Sequence, residues 1–327
     1  MNSFEWVDAH SVEEAARLLR EGSADSSTIA KAGGMDLLDL MKEGIVRPKR
    51  VVNLQPIHAL RDIRVDADGA VHVGALVTLA QIAQAPSLAN NFSALAAAAN
   101  HAATPQVRNV ATIGGNLLQR PRCWYFRNAL FDRGAVVAAV REGENQYHGI
   151  FDTERTPLVH ASTPATALLA YDATVHVMGQ QGSRAIAIKD FFLPPDPTRS
   201  SDVAMAPGEV LTHITLPAIS AGSVSEYHKQ TERDSYDWPI CDVAVVLRLA
   251  HNRVVQDAAI ALGWVAPTPI RAREAEQRLV GRLIDAASAT DAAASIVQRA
   301  KPLSKNTYKV DVLKVVVERT LLKAAHH

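Results

Sequence analysis

The chain has 327 residues, 48% of them hydrophobic and 21% charged, which predicts a globular protein with a large core and two or three domains. Its 34 lysines and arginines balance 34 aspartates and glutamates, so overall charge favours neither nucleic-acid nor membrane binding. Its two cysteines, Cys123 and Cys241, are too few for a disulfide framework and lack metal-ligand spacing, so no metal site is predicted.

The chain begins with a strand followed by a helix. The segment SFEWVDA is strand-like, and Ser11 with Glu14 three residues later is typical of a helix N-terminus. The N-terminal stretch is acidic where a signal peptide is basic and then apolar, and no run of about 18 apolar residues occurs. We therefore expect neither an export signal nor a membrane span in this chain.

A second strand, STIAK, ends in the glycine pair Gly33–Gly34, and a helix follows. Asp36 is expected to cap that helix and Gly44 to end it. Consecutive backbone amides at a strand–glycine–helix junction can bind a phosphate. The sequence AGGMD is neither a P-loop nor a GxGxxG motif, and for this loop by itself a plain turn that needs positive φ is the commoner interpretation.

The middle of the chain contains a second glycine pair, Gly114–Gly115. Before it, the sequence predicts a hairpin through Asp68–Gly69, a helix from Thr78 and one alanine-rich helix over SLANNFSALAAAANHAA. Short polar side chains suited to hydrogen-bonding a ribityl chain or a ring edge surround the pair: Thr104, Gln106, Thr112 and Asn116. A second α/β region is predicted from about Ala161, with LPPDPTRSSDVAMAPGE as a surface loop.

The last hundred residues predict a separate α+β domain. Three antiparallel strands are expected from Ser223 onward, interrupted at Asn252–Arg253 and at the prolines 267 and 269. Three segments with helical spacing follow: REAEQRLVG, DAASATDAAASIVQRA and NTYKVDVLKVVVERTLLKA.

These segments together resemble a known family. KAGGMDLLDLMK and VRNVATIGGNLLQR, followed by EVLTHITLP and YHKQTERDSYDWP, are similar to the FAD-binding medium subunit of molybdenum hydroxylases, the family of xanthine dehydrogenase and carbon monoxide dehydrogenase. Within the family, NLLQRPRCWYFR most resembles the flavin subunits of bacterial aldehyde oxidoreductases. The resemblance covers nearly the whole chain.

The resemblance implies an α+β fold. A two-part FAD-binding domain of the PCMH/vanillyl-alcohol-oxidase-like type, residues 1–60 and 61–218, would precede a C-terminal α+β domain, residues 223–325, with a three-stranded antiparallel sheet and helices.

The function that the resemblance implies is that of an FAD-carrying electron-transfer subunit. A molybdenum cofactor on a large partner subunit would oxidise the organic substrate, and electrons would pass through [2Fe–2S] clusters on a small partner subunit to FAD here. NAD+, oxygen or another acceptor would then receive them. A stand-alone flavin oxidoreductase of the same fold and a cofactor-less scaffold subunit are the alternatives. The location would be cytoplasmic by default, or periplasmic if a partner carries an export signal.

The resemblance also assigns cofactor-binding residues, while no side chain is assigned a catalytic role. The first loop would wrap the FAD pyrophosphate through main-chain amides: Ile29, Ala30, Lys31, Ala32, Gly33, Gly34, Met35, Asp36 and Leu37. The second would follow the ribityl chain and the isoalloxazine ring: Ala103, Thr104, Arg108, Asn109, Ala111, Thr112, Gly115, Asn116 and Leu118. Further contacts would come from Thr163, Phe192, Leu211 and Lys229, the last stabilising negative charge on the reduced ring.

Several of these residues have plainer alternatives. Thr104 and Thr112 are also ordinary strand or turn hydroxyls, Arg108 an ion-paired surface residue, and Phe192 and Leu211 core residues. Met35 stands where the family usually has a small hydroxyl residue, and Thr163 where it has an aspartate, so a phosphate contact and a charged contact would be missing. His101 is expected to end a helix.

Cys123 lies in a segment where some relatives carry an extra [4Fe–4S] cluster. Such a cluster needs four cysteine ligands, and the chain has no further cysteine near Cys123. We therefore predict no [4Fe–4S] cluster on this chain, and we expect both Cys123 and Cys241 to be packing residues.

Overall fold

The computed structural model describes residues 2–21 and 27–326. Within these ranges the strands are β1 (Glu5–Asp8), β2 (Thr28–Lys31), β3 (Arg50–Asn53), β4 (Ile63–Val65), β5 (Val71–Gly74), β6 (Thr174–Gly179), β7 (Gly182–Ala187), β8 (Val210–Leu216), β9 (Ser223–Gln230), β10 (Cys241–Leu249), β11 (Val255–Gly263) and β12 (Ile270–Arg271).

The α-helices of the same ranges are α1 (Val12–Glu21), α2 (Leu37–Lys42), α3 (Leu79–Gln84), α4 (Pro86–Asn91), α5 (Ser93–Asn100), α6 (Pro105–Arg108), α7 (Ile113–Leu117), α8 (Val136–Glu142), α9 (Thr163–Ala170), α10 (Ile188–Phe191), α11 (Arg273–Leu279), α12 (Ala286–Val297) and α13 (Tyr308–Ala325). Short 3-10 turns cover His58–Leu60 and Arg133–Ala135. Across the described ranges, we find no helix with the length and apolar character of a membrane span.

The first sheet is parallel, with the strand order β1-β3-β2, and α1 packs on it through an alanine and leucine face. α1 starts where the sequence predicts. The Ser11 hydroxyl accepts the Glu14 amide at 3.1 Å, and the Glu14 carboxylate accepts the His10 amide at 2.8 Å. The Glu14 amide belongs to the first turn, which has no carbonyl acceptors of its own, and the His10 amide lies just before the helix. Side chains local in sequence therefore fix the start of α1.

The second sheet is antiparallel, with the order β4-β5-β8-β6-β7. The hairpin between β4 and β5 turns through Asp68–Gly69, and Thr78 caps α3, both as predicted. The largest core lies between this sheet and α3, α5, α7 and α9. Because β5 pairs with β8 across some 140 residues of sequence, the segments before and after the central helices form one layer. The predicted domain boundaries at residues 60 and 218 stay predictions.

The predicted alanine-rich helix is two helices, α4 and α5, which meet at Phe92. Phe92 has φ −127° and ψ +48°, outside the helical region, and its ring is fully buried edge-on against Tyr171, with 5.1 Å between ring centroids. Burying a phenylalanine stabilises a core by about 3–5 kcal/mol, more than one or two helical hydrogen bonds at about 1 kcal/mol each. The prediction of one continuous helix is therefore wrong at Phe92.

The third sheet is antiparallel, with the order β12-β11-β10-β9. Its three long strands agree with the prediction, including the turn at Asn252–Arg253, and the two-residue edge strand β12 adds a fourth. α12 and α13 cover one face, where Cys241 is buried as expected, and α5 and α9 cover the other. The third sheet thus lies between two helical layers.

Lys309, on α13, is a fully buried lysine. Its ammonium donates to the carbonyls of Trp264 at 2.7 Å, His148 at 3.0 Å and Tyr147 at 3.3 Å. Burial lowers the pKa of Lys309 to about 7. The carbonyls come from the segment after α8 and from the end of β11, so this one side chain ties α13 to both.

Replacing Lys309 with methionine should lower the free energy of unfolding by about 2–4 kcal/mol, because the carbonyls of Trp264 and Tyr147 lose their donor and that of His148 keeps only Asn306. Urea unfolding followed by far-ultraviolet circular dichroism measures the change. Lys314→Met, on the same helix at a half-buried position, is the matched control and should change stability by less than about 0.5 kcal/mol. Equal losses in the two variants would contradict the assigned role of Lys309.

Candidate functional site

A cleft of about 1130 Å³ opens between the first sheet, the second sheet and the loop that precedes β10. Four segments form most of its wall: the end of β2 with the loop after it, the turns around α6 and α7, the loop between α10 and β8, and the loop between β9 and β10. Its volume exceeds the range of about 300–1,000 Å³ typical of small-molecule sites. The cleft therefore suits an extended ligand.

The first glycine loop places a run of unpaired amides in this wall. In the part of the chain that the structure describes, the backbone amides of residues 33 to 36 donate no hydrogen bond to a protein acceptor. α2 begins directly after them and has only six residues. Anion binding at this place would therefore depend on the loop amides more than on the helix. Unpaired amides at such a place require water or a ligand as acceptor.

The two glycine loops touch each other. A Cβ atom added to Gly33 would overlap the carbonyl oxygen of Val110, far inside contact distance, so only glycine allows the first loop to pack on the second. At Gly115 an added Cβ would meet the Thr112 hydroxyl, at 3.1 Å, and otherwise open space within 4 Å. The absence of a side chain at Gly33 thus allows the two loops to pack together, and its absence at Gly115 leaves open space in the cleft wall.

The second loop is built from two helix starts. The Thr104 hydroxyl accepts the Val107 amide at 3.3 Å, and the Thr112 hydroxyl accepts the Gly115 amide at 3.1 Å, so each threonine caps a short helix while lining the cleft. Ala103 has φ +50°, and the Arg108 guanidinium donates to its carbonyl at 2.7 Å. Arg108 therefore braces the turn that presents Ala103 and Thr104.

The cleft wall contains most of the residues predicted to bind the cofactor. All those of the first loop line it, and so do Ala103, Thr104, Ala111, Thr112, Gly115, Asn116, Leu118, Thr163, Leu211 and Lys229. Arg108, Asn109 and Phe192 are not part of this wall. The Phe192 ring packs in the core on His160 and Phe191, at centroid distances of 4.4 and 5.1 Å, as its packing alternative predicts.

Asp36 lines the cleft but does not cap α2 with its side chain, so that prediction is wrong. Its carboxylate accepts the Arg120 amide at 2.9 Å and forms ion pairs with Arg127 at 2.6 Å and Arg122 at 2.9 Å. Two guanidinium groups offer the carboxylate stronger partners than one helix amide. The pairing neutralises Asp36 and ties the first loop to residues 120–127.

Cys123 lies in the segment that Asp36 anchors. It is half-buried, and burial raises the pKa of its thiol to about 11, so the side chain is an inert thiol at neutral pH. In the described ranges, no three histidine, cysteine, aspartate or glutamate side chains are grouped so that they could hold a metal ion.

Sequence reasoning missed an aromatic part of the cleft wall. Tyr236 and Trp238, in the loop between β9 and β10, line the cleft and are 57% and 51% exposed. The Arg122 guanidinium lies over the Trp238 ring at 5.0 Å, and Trp238 stacks on the buried Trp264 at 5.5 Å. Two aromatic residues in an otherwise charged loop were the available signal.

The predicted surface loop between α10 and β8 is also part of the wall. Val203 and Met205 line the cleft, and the buried Asp202 forms an ion pair with Arg120, with 3.0 Å between Nε and Oδ2. This loop is therefore held on the segment after α7 and is not a free surface segment.

Lys229, on β9, brings a cation to the cleft wall. Its ammonium donates to the His101 carbonyl at 2.9 Å, and His101 ends α5 as predicted. Burial lowers the pKa of Lys229, while the carboxylates of Asp242 and Asp237 oppose that shift. The side chain is thus fixed in place by a backbone carbonyl.

The two glycine positions should respond differently to an added methyl group. Gly33→Ala should lower the free energy of unfolding by about 1–3 kcal/mol, because the loops must separate. Gly115→Ala should change it by less than about 1 kcal/mol, because its Cβ meets one hydroxyl. Thermal unfolding of the two variants beside wild type tests this contrast, and a larger loss at Gly115 would contradict it.

Comparisons with known proteins show which proteins this chain is similar to. Residues 2–219 match the family model described as "FAD binding domain in molybdopterin dehydrogenase", and residues 226–324 match "CO dehydrogenase flavoprotein C-terminal domain". The aldehyde oxidoreductase FAD-binding subunit PaoB of Escherichia coli K12 is 31% identical over 300 residues, 90% of each chain.

Further relatives cover almost the full length. The carbon monoxide dehydrogenase medium chain of Hydrogenophaga pseudoflava is 29% identical over 97% of this chain and 96% of its own. A solved structure of carbon monoxide dehydrogenase from the same organism, lacking the Mo-pyranopterin moiety of the molybdenum cofactor, superposes with a TM-score of 0.78 and 27% identity, covering 99% of this chain and 98% of that one. The chain therefore belongs to the family of FAD-binding medium subunits of molybdenum hydroxylases.

Proposed function

We propose that this chain binds FAD in the cleft and is the electron-transfer subunit of a heterotrimeric molybdenum hydroxylase. The observation that carries the proposal is the run of four unpaired amides at residues 33–36, in one cleft with the open space at Gly115. An extended anionic ligand with a diphosphate at one end would occupy both features.

The residues present fit FAD by their chemistry. The amides of residues 33–36 can donate to a diphosphate without a lysine or arginine. Asn116, whose Oδ1 accepts the Ser162 hydroxyl at 2.5 Å, is oriented so that its amide nitrogen is free to donate. Leu211 offers an apolar surface, and Lys229 a cation, in the same cleft wall. Met35 supplies no hydroxyl, so the phosphate contacts would be main-chain contacts.

Bound FAD would supply the capacity to take electrons in and to release them to an acceptor. The chain's own residues bind and orient it. The Lys229 ammonium, held by the His101 carbonyl, places positive charge where negative charge on a ligand is stabilised. The Asp36 carboxylate, paired with Arg122 and Arg127, adds little repulsion toward a diphosphate.

Family membership also supports the proposed partner subunits. The relatives are named as FAD-binding subunits or medium chains, which supports a large molybdenum subunit and a small [2Fe–2S] subunit as partners of this chain. NAD+, oxygen or another acceptor would receive the electrons. A stand-alone flavin oxidoreductase or a scaffold without cofactor would not require this set of partners.

FAD binding can be tested with the chain alone. Wild-type protein stripped of ligand should bind FAD at one per chain, while Gly115→Val should weaken binding at least about tenfold, equivalent to about 1.4 kcal/mol, because its side chain fills space in the cleft wall. Gly134→Val, at an exposed glycine that is not part of the cleft wall and whose Cβ would meet only the Asp132 carboxylate at 3.8 Å, is the control. Flavin absorbance after gel filtration and fluorescence quenching measure both. No binding to wild type would overturn the proposal.

Metal content and co-purification test the rest of the proposal. The isolated chain should contain no iron at cluster stoichiometry, because its two cysteines cannot supply four thiolates. Purified from its natural source by a tag on this chain, the complex should contain molybdenum and iron on two other subunits. Iron in the isolated chain would contradict the absence of a [4Fe–4S] cluster, and a chain recovered without partners would favour the stand-alone flavoenzyme.

A further inference from the structure

The side-chain amide of Asn116, on α7, is half-buried in the cleft wall. Its Oδ1 accepts the Ser162 hydroxyl at 2.5 Å. Among the residues that the structure describes, its Nδ2 has no protein acceptor. An amide nitrogen of this kind in the wall of a binding cleft is a hydrogen-bond donor available to the ligand.

Ser162 determines which end of this amide faces the cleft. It is 1% exposed, and its hydroxyl oxygen accepts the Ala165 amide at 3.1 Å at the start of α9. The hydroxyl hydrogen needs an acceptor of its own, and within the described ranges that acceptor is Asn116 Oδ1. With the amide turned round, Nδ2 would point at the Ser162 oxygen, and the buried hydroxyl hydrogen would have no acceptor.

The length of this hydrogen bond agrees with the same orientation. A separation of 2.5 Å lies in the range of an O–H···O hydrogen bond, about 2.5–3.0 Å. It is shorter than the range of about 2.7–3.2 Å for N–H···O. The atom of Asn116 that faces Ser162 is therefore the oxygen.

His160 holds the backbone on both sides of this hydrogen bond. Its Nε2 donates to the carbonyl oxygen of Leu117, the residue after Asn116, at 3.2 Å, and its Nδ1 accepts the Ser162 amide at 3.3 Å. A carbonyl oxygen only accepts, so Nε2 carries the ring hydrogen, while Nδ1 carries none because it faces an N–H group. His160 is thus a neutral imidazole of one tautomer that ties Ser162 to the end of α7.

The imidazole of His160 is itself fixed by packing. It is 4% exposed, and the Phe192 ring lies against it with 4.4 Å between ring centroids. Burial lowers the pKa of His160 to about 4, in keeping with the neutral ring that its two contacts require. Phe192 does not line the cleft, so it supports the wall by packing on His160.

We propose that Ser162 and His160 are positioning residues that fix Asn116 as a hydrogen-bond donor to the bound flavin. Neither residue lines the cleft, so both act through Asn116. The cofactor must then present an acceptor oxygen or nitrogen at this point of the wall. No bond is formed or broken and no proton moves, because the role of both residues is orientation. The inference rests on the proposed function, with FAD as the ligand of the cleft.

A double-mutant cycle on FAD binding tests the positioning role. Ser162→Ala should weaken FAD binding to the stripped full-length chain by about three- to tenfold, because the amide of Asn116 is then free to turn. In the background of Asn116→Ala, the same change should alter the dissociation constant by less than about twofold, because no amide is left to orient. An equal loss in both backgrounds would mean a merely structural role and would overturn the inference.

Two further variants sharpen the cycle. Ser11→Ala removes a hydroxyl of the same kind, which accepts the Glu14 amide at 3.1 Å at the start of α1 and is not part of the cleft wall. It should leave the dissociation constant for FAD unchanged, and a loss as large as that of Ser162→Ala would overturn the inference. His160→Leu should weaken binding when Asn116 is present and have no effect in Asn116→Ala.

Neutron diffraction from deuterium-exchanged crystals of the stripped chain locates the hydrogens without FAD and without any variant. Deuterium should lie on His160 Nε2 and not on Nδ1, on the Ser162 hydroxyl toward Asn116 Oδ1, and on Asn116 Nδ2 facing the cleft. A reversed amide, or deuterium on Nδ1, would overturn the inference. Failure of wild type to bind FAD would overturn the proposed function instead, and these positions would still show whether Ser162 and His160 orient Asn116.

Discussion

The close approach of Gly33 to the carbonyl oxygen of Val110 is the contact on which the cleft depends. It brings the loop that leaves the parallel first sheet against the loop that joins the two short helices α6 and α7. Only a backbone without a side chain can pack there, so the two glycine loops form one surface. The amides of residues 33–36 and the space at Gly115 are thereby placed in one wall, although about 80 residues of sequence separate them.

Ion pairs around the contact between Gly33 and Val110 leave hydrogen-bond donors available in the cleft wall. The carboxylate of Asp36 forms ion pairs with Arg122 and Arg127, and the carboxylate of Asp202 forms one with Arg120. These ion pairs hold the segment after α7 and the loop before β8 in place, and the donors in the wall include the backbone amides of residues 33–36, Asn116 and Lys229. Partly buried pairs of this kind are less screened by salt than surface pairs, so the cleft should keep its shape over a range of ionic strength.

The elements that sequence reasoning predicted correctly are those decided by neighbours in sequence. The start of α1 at Ser11, the end of α2 at Gly44 and the start of α3 at Thr78 each depend on a side chain or a glycine within four residues. The division of the alanine-rich helix at Phe92 depends instead on Tyr171, far along the chain. The family's motifs predicted most of the cleft wall, but not Trp238, whose partners Arg122 and Trp264 come from two other segments.

The buried ammonium of Lys309 has a consequence for the order in which the chain assembles. The carbonyls of Tyr147, His148 and Trp264 are synthesised long before residue 309 leaves the ribosome. Until then these carbonyls lack the Lys309 ammonium that donates to them in the finished protein. The C-terminal layer therefore closes only after synthesis is nearly complete. A chain cut short before α13 would keep both glycine loops and yet leave the third sheet open on one side, where exposed apolar strands invite aggregation and recognition by chaperones.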